Sequence, residues 1–219
     1  PEAEDRLAGS LLVGMEQLSR SFVQLRSNAL PITESLYRAG LALQDGRLAR
    51  DEALLQVTQP EAFDGVRSYE SRLQRAMIQF EMYMKALTWG SESDVFRRAA
   101  GGLTHAAWER AGLASTLVVP QAPAPIRRLA SLAELHHAGF SNNARKALKA
   151  HRRMLHRVLD GRLDEAQAAQ EEVARHRAKS AAYAGILTDL FQRIDAEVDA
   201  YVAQLSASLV RTKRFVQTL

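Results

Sequence analysis

Apolar residues recur at alternating steps of four and three along most of this chain. Leu7, Leu11, Met15, Leu18, Phe22, Leu25 and Ala29 predict an amphipathic helix over residues 5–29 with one buried stripe. Asn28 to Pro31 is expected to interrupt it, because proline suits a first helical turn. A second helix carrying Leu36, Tyr37 and Leu43 should then run to Asp45-Gly46, where glycine can take the left-handed cap. A shorter helix follows over 50–57 and ends before Pro60. Tyr69, Leu73, Ala76, Phe80, Tyr83 and Leu87 keep the same steps across 62–88, flanked by Met77, Met82 and Met84, which read as core or as the wall of an adaptable pocket. Ser91-Glu92-Ser93-Asp94 after Gly90 starts a further helix, with an acid in its first turn, and Gly101-Gly102 breaks or kinks it.

Residues 115–125, STLVVPQAPAP, form a proline-rich linker close to the midpoint. They divide the chain into an N-terminal helical module, 1–114, and a C-terminal one, 126–219. An echo at an offset of 115 residues suggests internal duplication: Asn28-Ala29 with Asp45-Gly46-Arg47-Leu48, against Asn143-Ala144 with Asp160-Gly161-Arg162-Leu163. The second copy predicts a helical hairpin over 144–176 folded at Asp160-Gly161. Beyond it, Leu187, Phe191, Ile194, Val198, Tyr201 and Leu205 predict a long helix over 186–216 of about 45 Å, whose 3.5-residue period is the seam of a bundle or a coiled coil.

Composition narrows the class. Leu and Ala dominate the 47% hydrophobic content, and Gly and Pro number only 12 and 6 in 219 residues. An all-α fold is expected: two antiparallel helical-bundle modules linked by long helices. There is no cysteine, which excludes disulfides and thiolate metal sites. No apolar run approaches the roughly 20 residues of a spanning helix, so the expectation is a soluble piece, cytoplasmic or extracytoplasmic, of a larger protein.

Charge singles out one helix. The net charge of +4 hides a concentration of Arg127, Arg128, Arg145, Lys146, Lys149, Arg152, Arg153 and Arg157 over 126–157, against Glu134 alone. On a helical wheel Arg145, Lys146, Lys149, Arg152, Arg153 and Arg157 fill one arc, making them candidates for anion binding, while Phe140, Ala144, Leu148 and Leu155 fill another. His137, His151 and His176 fall on inward positions and are the candidate ligand or metal residues. An antiparallel hairpin brings His151 and His176 to similar height, with His137, His105 or Asp94 as a third ligand. Glu134 and His137 form a single Glu-x-x-His step, where di-metal bundles use two.

The run His151-Arg152-x-x-Leu155, Val158-Leu159-Asp160-Gly161, Asp164-Glu165-Ala166 and His176 resembles the closing hairpin of the helical effector-binding domain in GntR-type transcription regulators. That resemblance covers about 26 residues and implies a metal-dependent, ligand-binding effector domain with His151 and His176 as ligands. The residues themselves carry no nucleophile elbow and no glycine-rich phosphate loop. They favour a non-enzymatic sensory or interaction domain, without a cofactor unless a divalent metal binds the histidines. A small ligand or a helical protein partner would sit between its helices, and 186–216 could form a homodimer. A nucleic-acid-binding or assembly subunit using the basic helix is the third reading.

Overall fold

Four long helical rods carry the fold among the described residues, and the first is made from two expected helices that run on without a break. The structure is a computed structural model and describes residues 2–56 and 60–218. The side chain of Leu7 and the expected helix end at Val57 lie outside the described part of the chain. Helix α1 (Glu2–Gln24) passes through a π turn, Leu25–Ala29, directly into α2 (Leu30–Leu54). The π turn is the physical reason that Pro31 does not end the helix. Leu30 donates to the Leu25 carbonyl across a widened turn, which makes room just where the proline ring would strike the preceding carbonyls.

Asp45-Gly46 also fails to end the helix, contrary to the expectation. Ala39, Ala42 and Leu43 before it and Ala49 and Ala53 after it are all buried, so the apolar face continues across the glycine. Burial on both sides outweighs the roughly 1 kcal/mol that a mid-helix glycine costs. The residues expected to form a separate helix from Arg50 are simply the end of α2.

Helix α3 (Pro60–Trp89) returns along α2, and a short segment follows with α4 (Asp94–Arg98) and α5 (Leu103–Arg110). Ser93 caps α4 by accepting from the Phe96 amide, and Ala100, Gly101 and Gly102 take left-handed conformations that break the path, both as expected. Residues 117–123 are strapped to the end of α3. The Ser91 amide donates to the Val119 carbonyl at 2.8 Å, the Val119 amide to Ser91 Oγ at 2.9 Å, and the Ala122 amide to the Leu87 carbonyl at 2.9 Å.

Helix α6 (Ala124–Leu159) then runs antiparallel to α3, and α7 (Leu163–Thr218) antiparallel to α6. Asp160-Gly161 is a true turn: Gly161 has φ 72°, and the Arg162 and Gly161 amides donate to the Arg157 and Val158 carbonyls. The expected returning helix and the expected long last helix are one rod of 56 residues, about 84 Å long. The Asp-Gly-Arg-Leu echo therefore carries two different conformations and is no repeated turn.

A single core cluster joins residues on both sides of 115–125, from Ile32 to Val198. Met77, Met82 and Met84 belong to it, with Phe80, Phe96, Trp108 and Phe140 as its largest fully buried members. Beyond this four-helix body, α1 and α7 continue together as a two-helix stalk. Leu11, Gly14, Leu18 and Ser21 of α1 and Leu25 of the π turn are buried or half-buried, at steps of three and four. No helix among the described residues is long and apolar enough to cross a membrane.

Candidate functional site

The three inward histidines are each engaged within the fold. His137 on α6 is buried and lies flat against Phe80 of α3, centroids 3.9 Å apart and planes 17° apart, with Phe140 at 6.0 Å. Burial, reinforced by the positive charges of Arg145 and Lys85, pushes its pKa from 6.5 down to about 3. It is a neutral ring in the core. Its Glu-x-x-His partner Glu134 is tied to α3: Lys85 Nζ lies 2.5 Å from Glu134 Oε2, and Thr88 donates to Oε1 at 3.3 Å. Burial raises the Glu134 pKa, and Lys85 and Thr88 oppose that rise.

His151 bonds through Nε2 to the Gln56 carbonyl at 3.0 Å, so it fastens the end of α2 to α6. Burial lowers its pKa, and the carbonyl partner works the other way. His176 on α7 bonds through Nδ1 to Asn143 Oδ1 at 2.9 Å and approaches Glu172 at 4.0 Å. Burial and then Lys146 lower its pKa, against Glu172. Among the described residues no group of three or more His, Asp or Glu side chains is placed to hold a metal ion. Both histidines thus act as bolts between elements, one on α2 and one across the hairpin.

The basic arc of α6 splits into two halves with different fates. Arg152 pairs with Glu70 at 3.0 Å, Arg153 with Glu172 at 2.6 Å and Arg157 with Glu165 at 3.0 Å, so three of the six cations are spent on α3 and α7. Arg145, Lys146 and Lys149 form no ion pair with the described residues, and all three are exposed. Arg145 and Lys149 stand one helical turn apart and therefore share a face.

That face lines a cavity of about 250 Å³ between α3 and α6, bounded by Glu70, Leu73 and Gln74 on one helix and Arg145, Leu148, Lys149 and Arg152 on the other. Leu73 and Leu148 are buried and form an apolar floor, with the cations at its mouth. Larger grooves exist elsewhere. One of about 540 Å³ at the α6–α7 turn is lined by Met154, Val158, Ala166, Gln170 and Glu171 and holds no cation. Another, of about 520 Å³ between α2 and α7, holds Arg47, which bonds to Thr188, and Asp51, which pairs with Arg50. Of these three, the α3–α6 cavity brings two cations without an ion pair among the described residues, Arg145 and Lys149, onto buried apolar surface.

Sequence reasoning found the α6 half of this cavity and missed the α3 half. Glu70 and Gln74 lie on the polar side of a regular amphipathic helix and look like any solvated pair. Glu70 acquires meaning only through Arg152, 82 residues later. Comparison with known proteins adds nothing to the geometry: no family model, no curated protein and no solved structure matches this chain.

Proposed function

We propose that this chain is a non-catalytic sensory domain that binds a small organic anion in the α3–α6 cavity. The supporting observation is the placement of Arg145 and Lys149, cations without carboxylate partners, over the floor of Leu73 and Leu148. A carboxylate would meet two positive charges, and a short apolar tail would cover the two leucines. The volume suits a compound of a few carbons and is too small for a partner helix. Occupancy would tighten α6 against α3, and α6 passes through the Asp160-Gly161 turn straight into α7, which runs the length of the molecule.

Nucleic acid is a weaker fit, since Arg152, Arg153 and Arg157 are neutralised within the chain and the unpaired cations of this arc shrink to three. Thermal unfolding against a panel of short mono- and dicarboxylic acids, amines and sugars tests the reading. Selected carboxylates should raise the midpoint by a few degrees at concentrations far above their Kd, because they bind only the native state. Arg145→Ala with Lys149→Ala should abolish that rise. A panel without any hit, or an equal rise in the double variant, would sink the proposal.

A further inference from the structure

The α1–α2 rod carries a second apolar stripe that is about half exposed or more along its length. In the stalk it consists of Leu12, Met15 and Phe22, which are 69%, 59% and 55% exposed, and in the body of Leu30, Tyr37, Leu41 and Leu48, which are 58%, 64%, 48% and 45% exposed. The steps between them are three, seven, eight, seven, four and seven. The step of eight spans the π turn at Leu25–Ala29, which takes up one extra residue. With that residue absorbed, the stripe keeps a strict seven-residue repeat over about 54 Å. In the body it lies opposite the side that meets α6, where Gly46 approaches Phe140 and Arg50 stacks on the same ring.

From this we infer that the chain forms a homodimer in which the two α1–α2 rods run side by side, parallel, about a two-fold axis along their length. A heptad stripe is recognised by another helix of the same period, and a second copy in parallel register places each apolar residue opposite its twin. The positions that complete the stripe are Ser19, Arg26, Glu34 and Gln44, and Glu34 is paired with Arg38 within its own copy. Charges beside the stripe are balanced within each copy, as Glu16 pairs with Arg20 and Asp45 with Arg72. Seven large side chains, each covering on the order of 100 Å², bury roughly 1,400 Å² over both copies, which is within the range of stable interfaces. The contact leaves the α3–α6 cavity open and does not depend on what that cavity binds. It lies on α1 and α2, whereas the sequence placed a candidate dimer contact on 186–216.

Sedimentation equilibrium on the intact chain should give twice the monomer mass of 24.3 kDa. Tyr37→Glu with Leu41→Glu should yield monomer with an unchanged far-ultraviolet spectrum, since both side chains are exposed. Leu135→Glu, equally exposed but off the stripe on α6, should leave the dimer intact. The chain has no cysteine, so Leu12→Cys and Tyr37→Cys each report one position, and each should form a disulfide-linked dimer on mild oxidation. A mass of 24.3 kDa at all concentrations overturns the inference. So does a dimer that survives the double substitution, one that Val210→Glu on α7 dissociates instead, or the absence of both disulfides.

Discussion

His137 shows how burial converts a residue of chemical promise into a structural one. Its ring is held neutral in the core, with a pKa of about 3, while in the unfolded chain it returns to its ordinary value of 6.5. Below pH 6.5 the unfolded state therefore binds a proton that the folded state refuses. The stability is fully present above pH 6.5 and is lost progressively as pH falls toward 3. By pH 5 this single group should cost about 2 kcal/mol. Its surroundings include Phe80 and Lys85 of α3, and Glu134, Ser141 and Arg145 of α6. Urea unfolding at pH 7.5 and pH 5 should show the wild type losing that increment beyond whatever His137→Phe loses, because phenylalanine retains the stacking and has no proton to bind. Equal losses in the two proteins would mean that His137 is protonated in the core.

The glycines of the elements separate what periodicity can tell from what only packing decides. The amphipathic stripes of 62–88 and of the last helix, the Ser93 cap, the break at Gly101-Gly102 and the turn at Asp160-Gly161 were legible because each depends on residues within one turn of the feature. Met15 and Phe22, by contrast, were expected in the buried stripe of 5–29 and are exposed, because α7 covers only the neighbouring face of α1. The continuity of α1 into α2 was not legible. Pro31 and Asp45-Gly46 read as stops, and they are overridden by a π turn and by buried alanines whose partners lie on α3. The α3–α6 cavity was half legible for the same reason, since Glu70 has no signature apart from Arg152. Substitution by alanine distinguishes the glycine roles. At Gly46 a Cβ would stand 3.5 Å from the Ala76 Cβ and 3.6 Å from Leu73, ordinary contact in regular helix, so Gly46→Ala should stabilise by about 0.5–1 kcal/mol. At Gly161, with φ 72°, the same change should destabilise by about 1 kcal/mol. At Gly139 the Cβ would fall 2.4 Å from the Tyr183 ring and push α7 from α6, costing about 1–3 kcal/mol. Chemical denaturation of the three variants checks the order, and destabilisation by Gly46→Ala would restore the turn reading.

At the scale of the whole molecule the body and the stalk differ in what holds them. The body has a continuous core around Phe80, Trp108 and Phe140, with each of its four rods packed against at least two others. The stalk has only α1 and α7, and its seam residues Leu11, Leu18, Leu25, Tyr201 and Leu205 are half-buried. Apolar burial is the main favourable term in folding, so local stability should fall along the rods from body to stalk. Both tryptophans, Trp89 and Trp108, belong to the body, and Trp108 is fully buried. Tryptophan fluorescence therefore reports the body alone, while far-ultraviolet dichroism reports all helices, the stalk included. Under conditions that hold the chain monomeric, such as the Tyr37→Glu/Leu41→Glu variant, dichroism should begin to fall at lower urea than fluorescence. Amide exchange should be faster at residues 9–24 and 199–214 than at 73–87 and 140–155. In the wild-type dimer the second copy would cover Leu12, Met15 and Phe22 of the stalk, so the gap between the two probes should narrow as protein concentration rises. Coincident transitions in the monomeric variant would mean that the two-helix stalk folds with the body as one cooperative unit, and that its half-buried seam is sufficient without a partner.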